Sequence, residues 1–384
     1  MSTSRTGGAG IAAYRLHVGL KSRGVESYFL TLFKKNIEAS QFEIEINRTF
    51  FSRAVSTILA RLNLRLSQTT YFTILSSSPL KSKELTKFGQ PSEVIFHIHN
   101  WFNLINLVEI EKLLESGYQI IFTLHDQRLF TGGCHYSMNC KKFMTDCREC
   151  PLLPSVTKYY PTKNLIQAKR IFSKFSNQIE IVAPSNWILQ LAQKSAVCAN
   201  NSLRVIPNWH DSNSRNQLQT HARVRNGTSR VTLGIASMDK ASILKGSNII
   251  KEFQKLILAN KKNVDVIYLS DLIKEGNQTD YFWNSIDYLL VPSVLDNSPN
   301  VIFEAKIHGV PVIATNVGGI SELLNSKYDY SIELSTETPN LILRLLDDLV
   351  APVPTKTKDE IRLDLEFNYK MVLDKYINFY SKII

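Results

Sequence analysis

Two carboxylates with seven residues between them, Asp296 and Glu304, bracket a polar turn in the stretch Pro292-Ser-Val-Leu-Asp296-Asn-Ser-Pro-Asn300-Val301-Ile-Phe-Glu304-Ala305. The apolar run before it ends at Pro292. The loop carries Asp296, and the spacing predicts a helix that starts near Asn300 and carries Glu304 within about its first turn. The unpaired N–H groups at such a start, at Asn300 and Val301, together with the positive end of the helix dipole, make an anion site. Carboxylates facing an anion would repel it, so the chemistry that suits them is to accept hydrogen bonds from hydroxyl groups of a sugar. The next strand, Gly309-Val-Pro-Val-Ile-Ala-Thr, leads into Gly318-Gly319, a tight turn where backbone can approach a ligand closely. Without the flanking pattern, Glu304 would be an ordinary helix-start acid and Asp296 a turn-forming one.

Other residues could serve the same chemistry. Lys245-Gly246 stands early in the second half, where an ammonium can meet an anionic group; its bland reading is a solvated lysine at a helix start. His125-Asp126 ends the strand around Phe122-Thr-Leu, and His99 ends an earlier one. A neutral imidazole there can donate to or accept from a hydroxyl, or can simply be a satisfied structural residue. Gly7-Gly8-Ala9-Gly10 precedes the first helix and can cradle a phosphate or merely permit a turn. Cys134, Cys140, Cys147 and Cys150 fall within seventeen residues. Four thiolates at this spacing fit a structural zinc and leave no open position for catalysis; the alternative is reduced buried thiols or redox-labile pairs.

These residues need a frame. In the first half, Ala12, Leu16 and Leu20 predict a helix, and strands are expected at 25–32, 94–99, 119–124, 179–183 and 203–206. Helices are expected at 104–115 and 186–194, the latter capped by Ser185. The polar stretch 211–230 reads as a linker, after which the pattern restarts. Strands are expected at 231–236, 264–269, 288–291 and 310–314, and helices at 245–259, 301–308, 321–324, 340–350 and 359–381. Strands alternating with helices imply parallel sheets covered on both faces. The expected architecture is therefore α/β, two doubly wound lobes with a cleft between them: 1–210 with a Cys-rich insertion at 131–160, a linker at 211–230, a second lobe at 231–360, and a closing helix at 361–384 returning to the first lobe. A first lobe of this kind should open with a buried strand, yet only Met1 to Thr6 precede Gly7, so either that strand is very short or the start lies upstream.

The chain has 384 residues, a net charge of +11 and a pI near 9.3. The positive charge is dispersed, with pairs at Lys34-Lys35, Lys141-Lys142 and Lys261-Lys262, and no nucleic-acid-binding motif occurs. A basic face resting on an anionic membrane is the better use of the charge. No apolar run is long enough to span a bilayer and no signal peptide is legible, so the expected place is the cytoplasm, peripheral to the inner face of the membrane.

The Asp296–Glu304 motif, the Gly-x-Pro-Val strand and the Gly318-Gly319 turn resemble the group 1 (GT4-type) retaining glycosyltransferases of GT-B fold, and the resemblance extends over nearly the whole chain. It implies that Glu304 holds the nucleotide ribose, Asp296 faces donor-sugar hydroxyls, Lys245 meets the diphosphate, His125 reaches the donor sugar, and the Gly8–Gly10 loop approaches the diphosphate. It implies transfer from a UDP- or GDP-sugar with no metal cofactor required. The segments Thr131-Gly-Gly-Cys-His-Tyr and Cys147-Arg-Glu-Cys-Pro resemble a bacterial branch that builds exopolysaccharide, colanic-acid-type or O-antigen chains, which implies a lipid-linked or oligosaccharide acceptor. Two departures stand out: Asp296 where the family usually has Glu, and only Lys240 where it usually has an Arg. They motivate a second reading, a catalytically weak scaffold; a sugar-nucleotide epimerase fits the Lys245–Asp296–Glu304 set less well.

Overall fold

The computed structural model describes residues 1–32, 42–46, 48, 50–67, 71–73, 75–209, 230–237, 239–274, 279–349 and 358–383; within these the side chains of 51, 67, 274 and 358–367 are not described. The chain divides into two compact units, Met1–Asn208 with Val372–Ile384, and Trp209–Met371.

The first unit runs α1 (Gly7–Ser22), β1 (Phe29–Thr31), β2 (Glu43–Glu45), α2 (Phe50–Ser67), α3 (Ser82–Leu85), β3 (Ile95–Ile98), α4 (Leu107–Glu115), β4 (Gln119–Thr123), α5 (Tyr160–Lys174), β5 (Ile179–Ala183), α6 (Asn186–Gln193) and β6 (Ser202–Val205). Strands β3-β4-β5-β6 form one parallel sheet, and β1 pairs with β2 in parallel. Met1–Thr3 bridges the two. The His99 amide donates to Met1 O at 2.9 Å and that of Thr3 to Asn100 O at 3.1 Å. On the other side, the Ser2 amide donates to Leu30 O at 3.1 Å. These three residues act as a very short central strand ahead of the Gly-rich turn. The β4 and β5 residues are buried almost throughout, as strands covered on both faces must be.

Several sequence expectations are redrawn. The strand at 25–32 shortens to β1. The helix expected from Leu104 starts at Leu107, because the Asn106 side chain accepts the Glu109 amide at 3.0 Å and caps it there. The glycines Gly7–Gly10 do not precede the first helix; they form its first turn. Ser185 caps α6 as expected, accepting the Ile188 amide at 3.2 Å. Helices α2 and α5 were not anticipated. The linker segment 211–230 lies outside the described residues apart from Arg230.

The second unit runs β7 (Val231–Ile235), α7 (Ser247–Ala259), β8 (Val264–Tyr268), α8 (Leu269–Lys274), α9 (Thr279–Ser285), β9 (Tyr288–Val291), α10 (Asn300–Ile307), β10 (Val312–Thr315), β11 (Tyr330–Ile332), α11 (Thr338–Asp348) and α12 (Lys358–Tyr380), the last crossing into the first unit at Val372. Its sheet is wholly parallel, in the order β11-β10-β9-β7-β8. The strand period of two separates its cores. Tyr288, Leu290 and Ile313 pack with α7 and α11, whereas Leu289, Val291, Val312 and Ala314 pack with α9 and α10. Unbroken apolar runs such as Tyr288–Val291 are what a sheet covered on both faces requires. All loops that carry the candidate residues leave the carboxyl ends of these strands, where ligands bind in such sheets.

At the other end of α12, Val372, Leu373, Tyr376 and Phe379 are buried within the first unit. Leu363 and Phe367, part of the same expected apolar stripe, fall among the undescribed side chains.

Candidate functional site

In the second unit three turns are stitched into one platform. Ile243–Lys245 forms a single tight helical turn, closed by the Lys245 amide donating to Ser242 O at 3.1 Å, and Gly246 follows in the left-handed region at φ +81°. Lys245 is thus the end of that turn, not the start of the long helix expected from the sequence; α7 begins two residues later. The reason is Gly246, where a side chain would bring its Cβ to 1.9 Å from Pro292 O, so only glycine lets this turn close on the end of β9. The Val294 amide donates to Leu244 O at 2.8 Å and fixes the contact.

Asp296 sits in the loop after Pro292 and is only 5 % exposed. One carboxylate oxygen accepts the Asn297 amide at 2.9 Å, and the other forms an ion pair with Lys245 Nζ. Its backbone carbonyl accepts the Gly319 amide at 3.0 Å. Gly318, at φ +61°, lies so close that a Cβ there would stand 1.8 Å from that carbonyl. Thus Lys245, Asp296, Gly318 and Gly319, spread over 75 positions, converge on one loop. The Thr315 hydroxyl, donating to Ser293 O, anchors the same loop to the end of β10; that residue carried no signal in the sequence beyond its place at a strand end.

Helix α10 starts at Asn300 with Pro299 before it, and Val301 is its second residue. Glu304 is the fifth helical residue, opening the second turn instead of lying in the first. It is half-buried, and its backbone carbonyl accepts His308 Nδ1 at 2.8 Å. Lys240 is paired with Asp271 and lies 4.0 Å over the Tyr268 ring.

In the first unit, His125 follows β4 and its Nε2 is 3.0 Å from His99 Nδ1, the two rings stacked. His97 packs against His99 in turn, ring centroids 4.2 Å apart and tilted by 32°, with the Tyr380 hydroxyl 2.6 Å from its Nδ1 and Thr123 Oγ1 2.7 Å from its Nε2. Burial pushes His125 down to about 4 and His97 and His99 well below the ordinary imidazole range, so all three are neutral near pH 7. A pocket of about 50 Å³ is lined by His99, His125, Asp126, Arg128, Trp101 and Ala9 of the Gly-rich turn. Burial lowers Arg128 to about 10, and its guanidinium stands 4.0 Å over the Phe102 ring. Arg128 carried no signal in the sequence beyond its place two residues after Asp126 in the loop that follows β4. Gly10 is buried because a Cβ there would meet Ser4 O at 2.3 Å, whereas Gly7, at φ +79°, faces open space and Gly8 is exposed.

The four clustered cysteines are unbridged. Among the described residues no three His, Cys, Asp or Glu side chains are placed to hold an ion as they stand.

Residues 220–348 match the family model of the group 1 glycosyl transferases. The chain is 22 % identical to a putative colanic acid biosynthesis glycosyl transferase, WcaC, of Escherichia coli strain K12, over 98 % of this chain and 97 % of that one. Among solved structures it resembles the sucrose-phosphate synthase of Thermosynechococcus elongatus, with TM-score 0.63, 16 % identity, and coverage of 100 % of this chain and 95 % of the other. It also resembles Anabaena HepE in complex with UDP-glucose, with TM-score 0.53, 14 % identity and coverage of 100 % and 98 %. The architecture is the GT-B one, with two Rossmann-like lobes, and the chain is an enzyme of the glycosyltransferase class.

Proposed function

We propose that this glycosyltransferase moves a sugar from a nucleoside diphosphate sugar, UDP- or GDP-linked, to a growing surface polysaccharide or lipid-linked oligosaccharide, with retention of configuration in the GT4 manner. The observation that carries the reading is the convergence of Lys245, Asp296 and the Gly318-Gly319 turn at the carboxyl ends of β7, β9 and β10. An ammonium and the start of α10, at Asn300 and Val301, are suited to receive the diphosphate, and backbone at a left-handed glycine is suited to lie against it. Glu304 accepts from ribose hydroxyls and Asp296 from the donor sugar. Lys245 then has two partners: Asp296 holds the ammonium in place before donor arrives, and the diphosphate takes it over as negative charge develops on the leaving group. The departing diphosphate oxygen takes the acceptor proton on the face it leaves. In the first unit, neutral His125 serves as a hydrogen-bonding group toward a sugar hydroxyl, and Gly8 and Gly10 line the approach of phosphate to the start of α1. The WcaC likeness supports a polysaccharide acceptor, and the UDP-glucose bound by HepE supports a nucleotide-sugar donor.

The acceptor's lipid suggests a membrane-facing patch. Helix α2 exposes Phe50, Ile58, Leu62 and Leu64 beside Arg53, Arg61 and Arg65, and contains no acidic residue. Among the described residues no helix is long and apolar enough to cross a membrane. The proposed place is therefore peripheral, on the cytoplasmic face.

The experiment is turnover of a panel of UDP- and GDP-sugars by the purified chain, with and without Mg²⁺. Slow release of UDP or GDP from one donor, independent of Mg²⁺ and lost in Glu304→Ala, supports the reading and names the donor. Binding without turnover favours the scaffold reading instead, and no binding to any nucleotide sugar sinks both.

A further inference from the structure

The segment 131–157 contains no α-helix or strand, only two short tight turns at Lys142–Met144 and Ser155–Thr157. An irregular stretch of that length inside a compact unit needs something other than backbone ladders to hold it. Its apolar support is small, a cluster of Phe72, Cys134, Cys150 and Leu153 with a few flanking side chains. What it does contain is four thiols around one enclosed space. Cys134, Cys140, Cys147 and Cys150 all line a pocket of about 10 Å³, walled otherwise by apolar atoms, with Phe72 and Phe143 among them. A space of that size holds about one small particle, and water would find few polar partners in it.

The backbone around the sulfurs is arranged as if they carried charge. Cys147 and Glu149 occupy the left-handed region, at φ +55° and +49°, which folds Cys147-x-x-Cys150 into a tight knuckle. The Gly132 amide points at the Cys147 sulfur and the Leu152 and Leu153 amides at the Cys150 sulfur, while the Thr131 hydroxyl donates to Cys134 O at 2.7 Å and fixes the backbone there. Lys142, whose ammonium donates to Glu149 O at 2.9 Å, lies near Cys150 as well. Amide donors aimed at sulfur stabilise thiolates far more than thiols, and this is the outer support that metal-bound cysteines have. Cys198, by contrast, is buried elsewhere, its amide donating to Ser195 Oγ at 3.0 Å.

We propose that Cys134, Cys140, Cys147 and Cys150 bind one zinc ion in a closed, purely structural tetrahedral site that staples this segment. Loading is an acid–base exchange without redox change: four S–H bonds break, four Zn–S bonds form and four protons leave to solvent. The product carries two net negative charges, which the amides and Lys142 offset. Loading therefore displaces the thiol protons while drawing the sulfurs in on the pocket that all four line. With four sulfurs the ion has no open position, so it takes no part in transfer.

This inference does not rest on the glycosyltransferase reading, and its test does not use activity. The full chain, purified without chelator or added metal, is analysed for zinc by mass spectrometry of the elements; about one zinc per chain is expected. Zinc is then replaced by cobalt, which under tetrathiolate ligation gives an intense sulfur-to-cobalt charge-transfer band and tetrahedral d–d bands. Cys147→Ser with Cys150→Ser should lose both metal and bands, while Cys198→Ser should keep them. If the double variant fails to fold, the wild-type cobalt spectrum still decides. Wild-type protein with no zinc and no charge-transfer band on cobalt addition to the reduced chain would overturn the proposal, as would the four cysteines being recovered as two disulfides.

Discussion

The two units carry their polar groups in opposite ways. In the second, the ion pair of Lys245 and Asp296 is half open to solvent, with the lysine side chain 43 % exposed, and it rests on turns that only glycine permits. In the first, the polar groups are largely withdrawn from solvent: three neutral histidines packed ring against ring, His99 buried and His97 and His125 half-buried, with a buried guanidinium and two tyrosine hydroxyls of α12. A site that must accept and release a charged ligand keeps its charges accessible and puts its precision into backbone. A site that keeps imidazoles neutral pays in burial, and needs every ring nitrogen matched to a partner.

The largest test of this contrast is Glu304→Ala. Transfer should fall by about 10²–10³-fold in kcat/KM with thermal unfolding nearly unchanged, because a half-buried helix-face carboxylate contributes chemistry more than stability. A matching loss of fold would place Glu304 with the structural residues. Next is Gly318→Ala, which meets both a left-handed backbone and the Asp296 carbonyl and should cost about 3 kcal/mol. Gly7→Ala has the same kind of φ in open space and should cost only about 1 kcal/mol. Equal costs in denaturant titrations would show that the contact with Asp296 is not what demands glycine.

The pH dependence should separate the units. His125 is depressed from 6.5 to about 4 in the folded chain, so the unfolded chain binds the proton first as pH falls. The stability it protects is complete above about pH 6.5 and is lost progressively as pH drops toward 4, a loss of order 3 kcal/mol. His17 and His135, also lowered to about 4 by burial, act in the same direction and lie in the same unit. Histidine exchange or local fluorescence should therefore report the first unit loosening in that window while the sheet around Asp296 holds. Simultaneous loosening of both would remove the distinction. A similarly small effect is expected from Tyr380→Phe, which removes the hydroxyl paired with His97 Nδ1 and should cost about 1–2 kcal/mol. No change in melting temperature would mean that the histidine stack does not depend on α12.

How much of this was readable in advance follows the same division. The strands β4, β5, β7 and β9 announce themselves as short apolar runs between turn residues, and the Asp296–Glu304 spacing with its following Gly-Gly is local enough to read directly. Helix α2 escaped because its residues show little separation of apolar and polar faces, and several of its apolar side chains are indeed exposed. The helix start at Lys245 was misplaced because what stops the first turn is the carbonyl of Pro292, nearly fifty positions away. The resemblance pointed to His125, but nothing local ties its neighbour His97 to Tyr380, 283 positions later in the chain.

The sequence by itself determined the α/β alternation, the restart of the pattern after the linker, the charged residues offered to a ligand and the four-cysteine spacing, because each is written in periodicity or in residues close together. Only the tertiary structure decided that Lys245 meets Asp296, that Gly246 and Gly318 are demanded by other loops' carbonyls, that the histidines are neutral, and that the thiols share one pocket. Those outcomes depend on burial and on distances between segments remote in sequence, and neither quantity exists until the chain has folded.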